Sequence, residues 1–253
     1  LSLCVFSYDM GARLHSNSWG ANANSYNDNA FSVDAYTWEN QDFLVLVAAG
    51  NSGSAPGTLG APATAKSCVS VGAAENINQL DDDEEFDELN LADFSSRGPK
   101  YDGGLGITVT APGFFIASAL SQCDAQDDDG VCTQNPTEMH CQVEFKAGTS
   151  MATPVTTGNA LTIIEYFEDG FYPTGTRNGG DPGNADGFTP MGALVKAILV
   201  NSAQTMGDRG EAARNDDGFP NTDQGYGMVA TAYGRAAATP PHVLGRISSR
   251  IIP

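Results

Sequence analysis

Gly148-Thr149-Ser150-Met151-Ala152-Thr153-Pro154 is the stretch on which the reading of this chain turns. A glycine runs into a serine and then into a helix-like segment, with Leu161, Ile163 and Ile164 carrying the apolar pattern to about Phe167. Proline is tolerated in the first turn of a helix and disrupts later ones, so Pro154 predicts a helix start near Ser150. The Ser150 hydroxyl then stands at the positive end of that helix, where unpaired N–H groups can stabilise negative charge developing beside it. Serine and threonine are also ordinary N-caps, and spacing by itself favours that plainer role.

Working outward, strand-like apolar runs alternate with helix-like ones, the pattern of βαβ units around a parallel sheet. Phe43 to Ala49 is continuously apolar, as a strand covered on both faces should be, and it exits sharply through Gly50-Asn51-Ser52-Gly53. Ala12 to Ser16, Val69 to Gly72 and Ile107 to Thr110 read as shorter strands, and Asp28 to Asn40 as a crossover helix. Thr189 before Pro190 reads as an N-cap with proline at the first helical position. Met191, Leu194, Val195, Ile198 and Leu199 then form one apolar stripe. Gly170 to Gly187, rich in Gly, Asn, Asp and Pro, reads as a surface loop. One α/β domain over residues 1–234 is expected, with 235–253 a tail or the start of a downstream region.

The 253 residues are 41% hydrophobic and 17% charged, an ordinary globular balance. No stretch approaches the roughly 20 apolar residues of a membrane span. Against 12 basic residues stand 31 acidic ones, a formal charge of −19 that repels nucleic acid. Much of the excess lies in Asp81 to Glu88 and Asp127 to Asp129, which read as solvated loops. An EF-hand register over Asp124 to Gly130 fails, with Ala125 at its first position and Pro136 at its twelfth. Of the five cysteines, Cys123, Cys132 and Cys141 crowd one polar segment and suggest a disulfide-stapled loop; Cys68 reads as a small buried residue.

The seven-residue string matches the nucleophile signature of the subtilisin-like (subtilase) serine peptidases, and other motifs of that family follow in its order. Asn17-Ser18-Trp19-Gly20 resembles its substrate-binding strand and Ala48-Ala49-Gly50-Asn51-Ser52-Gly53 its oxyanion-hole segment. Phe94-Ser95-Ser96-Arg97-Gly98-Pro99, Ala111-Pro112-Gly113 and Gln224-Gly225-Tyr226-Gly227 resemble three structural signatures. The resemblance covers about Ala12 to Gly234 and implies a three-layer α/β fold with a mainly parallel sheet, its first strands missing from this chain. It implies that Ser150 attacks a peptide carbonyl and that Asn51 donates its side-chain amide to the oxyanion. Asn51 can equally be read as a turn residue. Ser18, Trp19 and Gly20 are implied to line one side of the substrate cleft, and Ala48, Ala49 and Gly50 the other, with Thr149 beside them. Trp19 can also be a core or rim aromatic.

The family orders its triad Asp, His, Ser. The usual Asp-Ser/Thr-Gly and His-Gly-Thr-His strings do not occur here, and His15, His140 and His242 are the chain's histidines. His15 reads as a polar strand-edge residue. Loss of the histidine in a subtilisin costs on the order of 10⁶-fold in kcat, so these residues alone are expected not to cleave protein. The expected whole is a secreted, monomeric endopeptidase acting on protein or peptide, its Asp and His supplied upstream. It needs no cofactor for catalysis; a structural calcium ion is compatible with the family, without a nameable ligand set. The alternative is a non-catalytic peptide-binding or adhesive module, against which the retention of both Ser150 and Asn51 argues.

Overall fold

In a computed structural model, residues 2–76, 90–119, 143–181, 185–206 and 220–229 are described. A parallel four-stranded sheet runs β1 (Leu14–Asn17), β2 (Leu44–Ala48), β3 (Val69–Ala74), β4 (Val109–Pro112), in that spatial order. The registers are Asn17↔Val47, Ala48↔Val71 and Gly72↔Thr110. Every residue of β2 and β3 is buried, which explains why the Phe43 to Ala49 run shows no polar alternation.

Helices cover both faces. On one side, Leu44, Leu46, Val69, Val71 and Val109 pack against α3 (Thr149–Glu168) and α4 (Gly192–Ser202) through Ala152, Ile163, Phe167, Val195 and Leu199. On the other, Phe43, Val45 and Val47 pack against α1 (Ser2–Asp9) and α2 (Asp28–Glu39) through Cys4, Ala30, Val33 and Tyr36. The alternation of β2 therefore feeds two cores, giving the expected three layers. Each fully buried side chain of this size contributes roughly 1.5–3 kcal/mol. An antiparallel ribbon, β5 (Ile116–Ala119) with β6 (Val143–Lys146), leads into α3.

The α3 start agrees with the expectation near Ser150 although Pro154 lies deeper than expected, and the α4 start differs. Helix α3 begins at Thr149, which makes Pro154 its sixth residue and places it beyond the first turn. Proline cannot donate to the carbonyl of Ser150, and that carbonyl is taken instead by the Ser18 hydroxyl at 3.0 Å. This distant donor satisfies the carbonyl that Pro154 leaves free, so the proline is accommodated beyond the first turn. Helix α4 starts at Gly192 with Met191 as its N-cap, not at Pro190. The Thr189 hydroxyl is spent on Glu168 Oε1 at 3.1 Å, and Met191 is exposed and outside the apolar stripe. The Asp28 helix agrees with its expectation: Asn27 accepts from the Asn29 and Ala30 N–H groups at one end, and Asn40 caps the other. Arg177–Gly180 forms a short 3-10 turn within the Gly170 to Gly187 loop.

Cys4 and Cys68 are buried free thiols. Asp81 to Glu88, Asp127 to Asp129, Cys123, Cys132, Cys141, His140, His242 and the segment 235–253 lie outside the described residues. No helix among the described residues is long and apolar enough to cross a membrane.

Candidate active site

The C-terminal ends of β1 and β2 and the N-terminus of α3 meet at one cleft of ≈ 360 Å³. Gly148 makes the turn into α3 with φ 151°, a conformation that side-chain-bearing residues rarely adopt. Its N–H is anchored to the Gly113 carbonyl at 2.7 Å, and the Gly113 N–H to the Ala74 carbonyl at 2.9 Å. The Ala111-Pro112-Gly113 motif thus ties the serine turn to the end of β3. Gly50, at φ 112°, makes the matching turn at the end of β2; a Cβ there would lie 2.9 Å from Ser96 Oγ. That hydroxyl is buried and accepts the Ser52 N–H at 3.0 Å, so Phe94 to Pro99 fixes the Asn51 loop from behind.

The two turns are then laced together. Asn51 Oδ1 accepts both the Thr149 N–H and the Thr149 hydroxyl, each at 2.9 Å, while the Thr149 hydroxyl oxygen accepts the Gly50 N–H at 3.2 Å. Thr149 is 1% exposed, so these bonds are shielded from water. With its oxygen doubly engaged, the Asn51 carboxamide keeps its Nδ2 donor out of this lattice, and Asn51 itself lines the cleft. The Ser150 N–H, in the first turn of α3, has no intrahelical acceptor. Ser150, like Asn51, lines the cleft.

Ser150 and Ser18 are joined reciprocally: Ser18 Oγ donates to the Ser150 carbonyl at 3.0 Å, and Ser150 Oγ donates to the Ser18 carbonyl at 3.4 Å. The nucleophile candidate is thus parked on a backbone acceptor. Among the described residues no histidine or carboxylate lines the cleft. His15 lies in β1 and borders a separate small cavity; burial lowers its pKa, and its ring sits 6.3 Å from that of Phe43. It is a strand residue, as its position suggested.

All the expected site residues converge. Ser18, Trp19, Gly20, Ala48, Ala49, Gly50, Asn51, Thr149 and Ser150 all line the cleft. Trp19 is a rim aromatic, 52% exposed, with its indole N–H donated to Asn17 Oδ1 at 3.2 Å. Sequence reasoning missed Ala21, Asn22, Ser52 and Gly60, which complete the lining. Gly60 and Ala61 form the rear: the Gly60 N–H donates to the Ala49 carbonyl and Ala61 bridges to Ala21. The signal for that wall was faint, a Gly-Ala-Pro sequence without periodicity.

Among described residues no group of three or more potential metal-binding side chains occurs.

The chain is 28% identical to the serine protease/ABC transporter B family protein tagB of Dictyostelium discoideum, over 79% of this chain and 14% of that protein. It is 34% identical to the serine protease AprX of Bacillus subtilis over 50% of this chain and 27% of that protein. The chain therefore spans well under a third of these relatives. Among solved structures, sphericase superposes with a TM-score of 0.59 at 22% identity, covering 90% of this chain and 60% of that one. Fervidolysin from Fervidobacterium pennivorans gives 0.56 at 24% identity, covering 89% and 27%. These two likenesses establish a subtilisin-like fold. The family model for subtilases matches residues 3–234, from the first helix through the closing turn, and the chain accordingly belongs to the Subtilase family.

Proposed function

We propose that this chain is the nucleophile-bearing portion of a serine endopeptidase that hydrolyses peptide bonds through an acyl-enzyme on Ser150. Family membership supports peptidase chemistry in general. The observation that supports the finer reading is the Thr149–Asn51 lacing, which engages Asn51 Oδ1 beside Ser150; in this reading Asn51 Nδ2 and the Ser150 N–H serve as the oxyanion donors. A carbonyl placed there would be attacked by Ser150 Oγ, and the charge gathering on its oxygen would meet donors already oriented. The substrate backbone would lie along Ser18 to Gly20, with a side chain entering between Trp19 and Ala48 to Gly50.

The attack requires a base to take the Ser150 proton and an acid to return it to the leaving amine. The proposal assigns these roles to a histidine, oriented by an aspartate, from polypeptide outside these 253 residues. It further holds that the enzyme is secreted and monomeric and acts on proteins or peptides. A second reading is a peptide-binding module without turnover, favoured by a cleft with no base among the described residues.

The test is to compare proteolysis by the intact gene product, by the 253-residue chain and by the intact Ser150→Ala variant. Cleavage by the first alone supports the proposal. Peptide binding without cleavage by the intact product supports the module instead.

A further inference from the structure

The turn from Pro62 to Cys68 is gripped by charge from three directions. Its N–H groups point to one anion: Asp34 accepts the Lys66 N–H at 3.0 Å, the Ser67 N–H at 2.8 Å and the Ser67 hydroxyl at 2.6 Å. Its carbonyls point to two cations. Lys196 Nζ donates to the Cys68 carbonyl at 2.7 Å and to the Lys66 carbonyl at 3.1 Å, and Lys100 Nζ donates to the Ala65 carbonyl at 2.7 Å. Each charge therefore meets the end of the peptide dipole that stabilises it, and charged hydrogen bonds of this kind are stronger than neutral ones.

The three gripping residues come from different elements: Asp34 from α2, Lys196 from α4 and Lys100 from the loop before β4. None of them lines the cleft. The turn itself continues directly into the rear wall, where the Ala61 N–H is shared by the Ala21 and Ala23 carbonyls at 3.1 Å each and the Gly60 N–H meets the Ala49 carbonyl at 3.0 Å. Gly60 sits so close to the opposite backbone that a Cβ would lie 2.6 Å from the Ala21 carbonyl oxygen. A shift of the turn by a fraction of an ångström thus moves the wall.

Burial lowers the Lys196 pKa. A lysine held this way is costly unless its hydrogen bonds offset the lost hydration. Lys196 could pack its stem and keep its head in water; its ammonium is instead committed to two backbone carbonyls.

We propose that Lys196, assisted by Lys100 and opposed by Asp34, is a positioning residue that sets the rear wall of the substrate cleft from outside it. This rests on the reading of the cleft as the substrate site. Neutralising Lys196 leaves Ser150 and Asn51 untouched and loosens Gly60 and Ala61, so it weakens substrate binding and spares the chemical step.

The test has two arms. In the intact gene product, amide exchange at Gly60 and Ala61 is expected to rise at least about tenfold in Lys196→Met, with Ala49, bonded to the Val71 carbonyl, unchanged. Lys196→Arg should restore much of the protection, and Arg177→Met, removing an exposed cation elsewhere, should leave it alone. In the intact gene product, Lys196→Met should raise KM with kcat held within about twofold. Unchanged exchange at Gly60 and Ala61, or a rise shared equally by Ala49, overturns the proposal, as does a loss confined to kcat. If Lys196→Met does not fold, Lys100→Met, which removes a single bond to the same turn, decides by the same exchange criterion. The exchange arm needs no catalysis, so an inert Ser150 would sink the peptidase reading without deciding this one.

Discussion

The wall of the cleft that carries Asn51 and the wall that carries Gly60 are held by opposite means. Asn51 is oriented by neutral groups of one neighbour, Thr149, in a shielded lattice of hydrogen bonds each 2.9–3.2 Å long. The Gly60 wall is held at one remove, by an aspartate and two lysines drawn from three elements. The difference separates two tasks. Orienting a donor demands angular precision, which short neutral bonds on a buried residue supply without a desolvated charge. Holding a turn demands strength along several directions, which charges on backbone dipoles supply at the cost of burying them.

The largest effect that could break this comparison is on the neutral side. Asn51→Ala removes the proposed oxyanion donor, and in a subtilisin the loss of such a donor costs about 10²–10³-fold in kcat. The intact gene product should show that loss with little change in KM; a change confined to KM would return Asn51 to the role of a turn residue. Thr149→Val keeps the shape and the backbone N–H and deletes the hydroxyl. It removes two neutral hydrogen bonds, one to Asn51 Oδ1 and one from the Gly50 N–H. Loss of the first, which orients Asn51, corresponds to roughly five- to tenfold in kcat, read by steady-state kinetics.

On the charged side the lever is pH. Burial would raise the Asp34 pKa, but hydrogen bonds from the Ser67 hydroxyl and N–H, the Lys66 N–H and the Tyr26 hydroxyl hold it below the ordinary value. The unfolded chain then takes up the proton first. Stability from this group is complete above the usual carboxylate pKa, about 3.9, and is lost as pH falls from there through the lower folded value. Thermal melting should therefore weaken on acidification through that window, and Asp34→Asn should remove part of the slope. The neutral lattice holds no titrating group, so Asn51→Ala should leave the slope as it is.

The smallest expected effect concerns helix starts. Asn27→Ala should cost about 1 kcal/mol, because Asn27 caps α2 through two N–H groups. Thr189→Ala should stay within about 0.5 kcal/mol in a denaturant melt, because its hydroxyl holds Glu168 at an exposed site and caps nothing.

That last pair shows where the sequence is legible. The Phe43 to Ala49 strand, the three layers and the converging site residues could be read because each rests on local pattern or on an uninterrupted motif. The α4 start could not, because the Thr189 hydroxyl has an alternative partner 21 residues away. Pro154 marked the α3 start correctly but lies beyond the first turn for the same reason, since the carbonyl it leaves vacant is taken by Ser18, 132 residues earlier. The Lys196 grip is illegible from sequence: its partners lie 130 and 128 residues away, and backbone carbonyls leave no trace in residue type.

The account's central claim is that Ser150 is a nucleophile rather than a helix cap. The direct measurement is to react the intact gene product with a fluorophosphonate and map the modified residue by mass spectrometry. The account predicts label on Ser150 and none on the Ser150→Ala variant, which also stops cleaving protein. Cleavage by Ser150→Ala at the rate of the parent, or label on another residue with Ser150 unmodified, would contradict it.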